Sequence, residues 1–252
     1  MKIEWDYTSL AKTYDDRADY DSKLISEVVQ LHESNSEDII LDLGAGTGKL
    51  TKELIKCGLK VLASEPNNAM RAIGVQNIAS ERCTWIASAA EEVDVSNNLI
   101  ASTWFGSSFN VINHKEAFIE FSRYSKSSGW LTCLWNHRDL KDPIQRSVEV
   151  IFRDEIPNYD YGTRRQDPSE TILSSGLFKR VEHFSSTFEV KIKKSSFVEA
   201  WKSHGTLLRQ SRDSNHFLRI IERVDLLLAG VDQVVIPYTT RLWTARRDSY
   251  QE

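Results

Sequence analysis

The stretch Asp42-Leu43-Gly44-Ala45-Gly46-Thr47-Gly48 decides which fold this chain can adopt. It continues the apolar run IILDL at residues 39–43, which is typical of a buried parallel strand. A helical pattern follows it through Leu50 and Leu54 and stops at Gly58, a natural helix cap. Glycine lets a backbone turn sharply and approach a ligand without a Cβ atom in the way. A glycine loop between a strand and a helix therefore indicates a ligand site at the end of that strand.

The chain around this loop alternates short apolar runs with amphipathic stretches, which predicts β-α-β units. Seven segments have the composition of strands: 39–43, 59–63, 84–87, 101–105, 130–135, 178–192 and 234–245.

Amphipathic spacing and capping residues predict the helices. Asn67 caps a helix that runs to about Ile73. Other helices are expected at 116–124, within 137–166, and at 216–228. Asp167-Pro168-Ser169-Glu170 is a typical helix start, and Gly176 ends that helix. A second capping box at Ser196–Glu199 predicts a helix through Trp201 that Gly205 closes.

Composition and charge narrow the classes of function. The 252 residues suit one large domain or a domain with a cap. The net charge of −4 argues against a protein that wraps nucleic acid or binds membranes through basic patches. No apolar run approaches the roughly 20 residues of a membrane span, and the N-terminus lacks the apolar segment of a secretory signal.

The cysteines point to a reducing compartment and to no metal. Cys57, Cys83 and Cys133 are scattered, without the Cys and His spacing of a zinc site. We therefore expect a cytoplasmic protein with no bound metal.

The glycine loop has the spacing GxGxG, whereas a dinucleotide-binding loop has GxGxxG. The next strand ends at Glu65, whose carboxylate can accept hydrogen bonds from both hydroxyls of a ribose. At this point the chain resembles the class I S-adenosylmethionine-dependent methyltransferases. The resemblance rests on DLGAGTG, on Ser64-Glu65-Pro66-Asn67 with Met70 following, and on Ser88-Ala89-Ala90-Glu91.

Further motifs resemble a subgroup of that family, similar to the type 11 methyltransferases, over nearly the whole chain. They are Tyr7 to Asp15 (YTSLAKTYD), Ser108 to Val111 (SFNV), Leu134 to Asp139 (LWNHRD) and Ile236 to Arg247 (IPYTTRLWTARR). Members of this subgroup methylate small molecules, including carboxylic acids and natural-product intermediates. The resemblance implies transfer of a methyl group from S-adenosylmethionine to an oxygen or nitrogen atom of a small organic molecule.

The resemblance also implies the fold and the site. The fold is α/β, a Rossmann-like doubly wound seven-stranded sheet whose last strand is antiparallel, in a single domain over 1–252. A helical cap is expected from about 1–22, 141–166 and 196–228. The implied cofactor-binding residues are Tyr14, Gly44, Ala45, Gly46, Gly48, Glu65, Pro66, Met70, Ala89, Ala90, Phe105 and Gly106. The implied substrate-binding residues are Phe109, Asn110, Trp135, Arg138, Trp201 and His204.

The sequence departs from the family pattern around the acceptor. Ala89 stands where a side-chain acceptor for the adenine amino group is common, and Ala101 lacks the acid that often opens the fourth strand. Asn110 and Val111 replace a frequent His-Trp pair. Because of these changes, the resemblance predicts the identity of the cofactor better than the identity of the methyl acceptor.

His137 and Arg138 are the candidates for chemistry beyond the fifth strand. A histidine can take a proton near neutral pH, so His137 is the candidate catalytic base. The planar guanidinium of Arg138 suits a carboxylate or another anionic handle. Both side chains could instead point to solvent.

Three alternatives remain open from the sequence. One is a methyltransferase that acts on nucleic acid or a peptide, and another is a nicotinamide-linked oxidoreductase. The third is a module that binds S-adenosylmethionine without catalysis. The oligomeric state is left undetermined.

Overall fold

The computed structural model describes residues 7–162 and 166–248. Residues 1–6 and 163–165 of the expected cap, and residues 249–252 of the expected domain, lie outside this description.

One seven-stranded sheet forms the centre of the described chain, as the sequence predicts. Its strands are β1 (Ile39–Leu43), β2 (Lys60–Ser64), β3 (Cys83–Ile86), β4 (Ile100–Gly106), β5 (Ser125–Arg138), β6 (Glu182–Lys193) and β7 (Gln233–Arg246). Their order across the sheet is β3-β2-β1-β4-β5-β7-β6. The first five strands pair in parallel, and β7 runs antiparallel to both β5 and β6.

Ten α-helices connect and cover these strands in the described residues. They are α1 (Ala11–Tyr14), α2 (Ser22–Leu31), α3 (Lys49–Lys56), α4 (Asn68–Asn77), α5 (His114–Tyr124), α6 (Pro143–Glu155), α7 (Ser169–Ser174), α8 (Lys194–Lys202), α9 (Gly205–Gln210) and α10 (Ser214–Leu227). Among them none combines the length and the hydrophobicity that crossing a bilayer requires.

Buried apolar side chains form three clusters, two against the sheet and one within the cap. Two clusters cover the two faces of the sheet, one around Phe121 and Tyr124 and the other around Ile25 and Trp104. The third joins α6, α8, α9 and α10 around Phe152, and β7 contributes Val234 and Ile236 to it. The long antiparallel strands therefore hold the cap helices against the sheet through shared apolar packing.

Most predicted helix boundaries hold because local caps set them. The side chain of Asn67 accepts hydrogen bonds from the backbone N–H groups of Ala69 and Met70, so it caps α4, which runs past Ile73 to Asn77. Gly58 follows α3 in the left-handed conformation, with φ of 83°.

The capping box predicted at Ser196–Glu199 is wrong. The helix begins two residues earlier, at Lys194, whose backbone N–H donates to the Asp232 carbonyl at 2.9 Å. That long-range bond satisfies the helix start without a side-chain cap. Gly205 does not close α8 either, because it begins α9 under the cap of His204.

His32 links α2 to the sheet in a fully packed setting. Its Nε2 lies 2.9 Å from Thr244 Oγ1 and its Nδ1 lies 3.2 Å from Ser102 Oγ. Its ring stacks on Trp130, with ring centroids 4.4 Å apart. Burial lowers the pKa of His32 to about 3.

We predict that His32 makes the fold sensitive to acid. Histidine in an unfolded chain titrates near 6.5, so the unfolded state binds more protons than the folded state between about pH 6.5 and 3. The free energy of unfolding therefore falls as pH drops through that window. His32→Gln should flatten this loss in urea unfolding between pH 7.5 and 4.5, while His183→Gln, at an exposed site, should keep it. Equal pH dependence in the parent and His32→Gln would contradict the prediction.

Candidate active site

A large cavity lies over the carboxyl ends of β1, β4 and β5, where ligands bind in open α/β sheets. Its lining runs from the glycine loop to aromatic side chains of β5, α8 and β7.

The glycine loop forms the floor of one end of the cavity. Gly44 and Gly46 adopt the left-handed conformation, with φ of 69° and 60°. The backbone N–H groups of Gly44 and Ala45 donate to the Ser64 carbonyl at 2.9 and 3.0 Å. A Cβ on Gly44 would lie 2.6 Å from Ser108 Cβ, so only glycine lets β1 and β4 end this close together.

Glu65 fixes the loop from the end of β2. Its Oε2 accepts a hydrogen bond from the Gly46 backbone N–H at 2.9 Å, and its Oε1 accepts one from Asn67 N–H at 2.8 Å. Burial raises the pKa of Glu65 above its ordinary value, against the effect of these two N–H donors. A carboxylate has about four acceptor positions, so two remain for a ligand.

Five of the twelve residues predicted to bind the cofactor line the cavity, and seven do not. Tyr14, Gly44, Ala45, Gly46 and Gly106 line the cavity. The others lie outside its lining: Gly48, Glu65, Pro66, Met70, Ala89, Ala90 and Phe105. Met70 is buried beside the loop, and a Cβ on Gly46 would lie 3.2 Å from its Cε atom. The cavity thus reaches the glycine loop but stops short of the side where the ribose and adenine are expected.

The N-terminal segment forms a roof over the cavity. The Arg17 guanidinium lies 4.2 Å above the Tyr14 ring, and its Nε donates to Ser203 Oγ at 2.8 Å. On the opposite side, Lys49 Nζ pairs with Asp19 at 2.7 Å. These contacts tie the segment both to the cap and to the helix that follows the glycine loop.

Aromatic side chains line the other end of the cavity, which we call the aromatic chamber. Its rings are those of Trp135, Tyr161, Phe197, Trp201 and Tyr238. Trp135 Nε1 donates to Asn110 Oδ1 at 3.1 Å. Asn110 and Phe109, both predicted to touch substrate, lie outside the cavity lining. Asn110 acts there as the support that orients Trp135.

Arg138 lies in the chamber wall as a buried cation. Its side chain is only 10% exposed, and its Nη2 donates to Glu149 Oε2 at 2.9 Å. The guanidinium lies 4.8 Å from the centroid of the Trp201 ring. Its Nη1 is buried without a hydrogen-bond partner in the described residues. Burial alone would raise the pKa of Glu149, but a hydrogen bond from Tyr161 and the charge of Arg138 hold it below its ordinary value.

The two histidines predicted near the substrate both line the chamber. His137 follows Asn136 on β5 and is 9% exposed. His204 packs against Trp201 with ring centroids 5.1 Å apart, and its Nδ1 accepts from Leu207 N–H. No cluster of three or more His, Cys, Asp or Glu side chains in residues 7–162 and 166–248 could hold a metal ion.

Sequence reasoning missed several residues of the cavity wall. The missed polar residues are Asp16, Arg17, Tyr20, Lys49, Ser107 and Thr206, and the missed chamber residues include Tyr161, Val190, Ile192 and Tyr238. Arg17 and Tyr20 directly follow the predicted Tyr7–Asp15 motif, so that motif could have been extended to them. Tyr238 lies within the motif Ile236 to Arg247, which the sequence did not connect with the cavity. Val190 and Ile192 on β6 had no local signal, because only the antiparallel pairing brings them to the cavity.

Comparison with known proteins shows that the chain is similar to methyltransferases. Residues 40–129 match a family described as "Methyltransferase domain". An uncharacterized methyltransferase of Mycobacterium tuberculosis is 33% identical over 122 residues, which is 48% of this chain and 49% of that protein. The matched part of the chain, which includes the glycine loop and Glu65, is therefore similar to class I S-adenosylmethionine-dependent methyltransferases. The family, enzyme class and cofactor class predicted from the motifs are confirmed at this level. The chain spans about half the length of the curated relatives it matches first.

Solved structures of methyltransferases have a fold similar to that of this chain. A candidate type II methyltransferase from Anaeromyxobacter dehalogenans is similar with a TM-score of 0.62 at 14% identity, over 91% of this chain and 97% of that one. Phosphoethanolamine N-methyltransferase 2 of Haemonchus contortus, solved with phosphomonomethylethanolamine and S-adenosylhomocysteine, has a TM-score of 0.55 at 14% identity. That similarity covers 96% of this chain and 57% of the other. The Rossmann-like α/β fold that the sequence predicts is confirmed.

Proposed function

We propose that the chain transfers the methyl group of S-adenosylmethionine to an oxygen or nitrogen atom of a small organic molecule in the aromatic chamber. The observation that carries this proposal is the continuity of the cavity from the glycine loop to the chamber. A donor on the loop and an acceptor among the rings would meet inside one enclosure. The Haemonchus contortus neighbour, which has a similar fold, was solved with phosphomonomethylethanolamine and S-adenosylhomocysteine.

The glycine loop and Glu65, which together we call the cradle, fit the proposed cofactor. Glycines at positions 44 and 46 leave the backbone open to close approach, and the Glu65 carboxylate keeps unused acceptor positions. Bound S-adenosylmethionine supplies an electrophilic methyl group on a positively charged sulfur. The protein's task is therefore chiefly to align donor and acceptor, because holding reacting atoms about 3–3.5 Å apart removes much of the barrier.

The chamber wall supplies the remaining roles. The aromatic rings of Trp135 and Trp201 exclude water and pack against an apolar acceptor body. His137 takes the proton of an acceptor that attacks in its protonated form. The roof segment from Tyr14 to Tyr20 admits the ligands and then covers them. We place the reaction in the cytoplasm, where free thiols such as Cys57 and Cys83 persist, and its acceptor among natural-product intermediates or similar metabolites.

Arg138 points to an acceptor that carries an anionic group. Its buried Nη1 has N–H groups to donate and no partner in the described residues, and an unpaired buried donor is costly. Glu149 is shared between Arg138 and Arg153, so one carboxylate faces two guanidinium groups. A carboxylate on the acceptor would satisfy Nη1 and balance this charge.

The cofactor assignment is tested by binding. S-Adenosylmethionine should raise the melting temperature of the chain, and NAD should not; a ligand at about 100 times its Kd stabilises a protein by roughly 2.7 kcal/mol. Glu65→Ala should lower the melting temperature of the free protein, because the backbone N–H groups of Gly46 in the loop and of Asn67 lose their acceptor. It should also weaken binding in calorimetry by about 1.5–3 kcal/mol, the typical contribution of charged hydrogen bonds.

Glu37→Ala is the matched control for Glu65→Ala, since it removes an exposed carboxylate that pairs only with Lys60 in the described residues. It should bind the cofactor like the parent. The assignment of Glu65 is wrong if Glu65→Ala and Glu37→Ala bind S-adenosylmethionine equally well.

The anionic acceptor is tested with two probes of similar shape and different charge. With S-adenosylhomocysteine present, phenylacetate should stabilise the protein more than phenylacetamide in thermal unfolding. Arg138→Gln combined with Glu149→Gln should abolish the difference, and the paired change avoids leaving Glu149 buried alone. Arg153→Gln should preserve it, because Arg153 contacts Glu149 from an exposed position. A difference that survives in the double variant would remove Arg138 from acceptor recognition.

A further inference from the structure

Tyr20 and Ser107 form a pair of hydroxyl groups at the junction between the glycine loop and the aromatic chamber. Tyr20 Oη lies 2.9 Å from Ser107 Oγ, and both residues line the cavity. Next to Ser107, Ser108 packs against Gly44 of the loop. On the other side, the Ser107 backbone N–H donates at 2.9 Å to the carbonyl of Leu134, the residue before Trp135. The pair therefore lies between the proposed sites of donor and acceptor.

The backbone at Ser107 is held in a conformation that serine seldom adopts. Its φ is 63°, in the left-handed region that favours glycine. Such strain persists only where the surroundings impose it, and it clusters at functional sites. Here the Ser107 backbone N–H is bonded to the Leu134 carbonyl, and the serine hydroxyl lies 2.9 Å from Tyr20 Oη at the cavity wall.

Gly106 makes this arrangement possible on the side of Tyr20. A Cβ on Gly106 would lie 3.1 Å from Tyr20 Oη and 3.1 Å from Leu50 Cβ. A Cβ atom there would force Tyr20 or Leu50 to shift by a few tenths of an ångström. The sequence Gly106-Ser107 at the end of β4 thus allows the close approach and supplies the second hydroxyl.

The two hydroxyl groups stay uncharged and retain free lone pairs. Burial raises the pKa of Tyr20 well above its ordinary value, so the phenol remains protonated near neutral pH. One hydrogen joins the two oxygens, and each hydroxyl has two lone pairs. Both oxygens belong to residues of the cavity lining, between the glycine loop and the aromatic chamber. Methyl hydrogens on a positively charged sulfur are polarised and form C–H···O contacts with such oxygens.

We propose that the Tyr20–Ser107 pair distinguishes S-adenosylmethionine from its product, S-adenosylhomocysteine, by placing oxygen lone pairs against the methyl group of the sulfonium. This inference rests on the proposed function. The product has neither the methyl group nor the positive charge, so it gains nothing from the pair. A site built in this way holds the donor and lets the product leave, which matters where product release limits turnover.

Calorimetry with both forms of the cofactor tests the proposal without any acceptor or turnover. The measured quantity is the ratio of the Kd for S-adenosylhomocysteine to the Kd for S-adenosylmethionine. Tyr20→Phe and Ser107→Gly should each lower this ratio by about two- to fivefold, the contribution expected of a weak C–H···O contact. Ser107→Gly decides the matter if Tyr20→Phe folds poorly, because glycine adopts a φ of 63° without strain.

Tyr124→Phe is the matched control. Tyr124 is also fully buried, with its hydroxyl 3.5 Å from Thr103 on β4, but it lies outside the cavity lining. In Tyr124→Phe the ratio of the Kd for S-adenosylhomocysteine to the Kd for S-adenosylmethionine should equal that of the parent. An unchanged ratio in Ser107→Gly, or an equal loss of affinity for both cofactor forms, would overturn the proposal. A parent protein that binds neither form would instead overturn the proposed function, and this inference with it.

Discussion

The close approach of two strand ends governs the rest of this structure. Gly44 at the end of β1 packs directly on Ser108 at the end of β4, at a distance that leaves no room for a Cβ atom. These two strands are neighbours at the point where the strand order reverses. Because the loop after β1 is drawn against β4, the cavity floor consists of backbone on one side and of Gly106-Ser107 on the other. The ligand site is thus created by backbone proximity, and its side chains are added around it.

The cap depends on the sheet for its position. β5 and β7 continue beyond the parallel part of the sheet, and β7 adds Val234 and Ile236 to the core of the cap helices. The roof segment closes the enclosure through Arg17, which reaches the end of α8, and through Asn136, whose side chain donates to the backbone of Ala18 and Asp19. Cradle, chamber and roof are therefore connected by a small number of polar contacts across one cavity. Small changes at these contacts are expected to alter access more than folding.

Local sequence signals were enough for the parallel half of the fold. The run IILDL, the glycine loop and the Asn67 cap each depend on neighbours in sequence, and each was predicted in its place. The start of α8 was missed because a backbone bond from Lys194 to Asp232, a contact distant in sequence, replaces a side-chain cap. Position along a motif likewise identified Trp135 and Arg138 as candidates but could not show that Glu149 pairs with Arg138. The role of Ser107 depends on its positive φ value, which could not be predicted from the sequence because serine seldom adopts that conformation.

Partition of a labelled methyl group is the most direct test of the central claim that donor and small acceptor meet in this cavity. The full chain would be incubated with S-adenosylmethionine labelled in its methyl group and with an extract from which small molecules, nucleic acid and protein are separated afterwards. The account predicts label in the small-molecule fraction, and loss of that label when Gly46 is replaced by a bulky residue that blocks the cradle. Label confined to the nucleic acid or protein fraction would contradict the account, as would transfer that survives the change at Gly46.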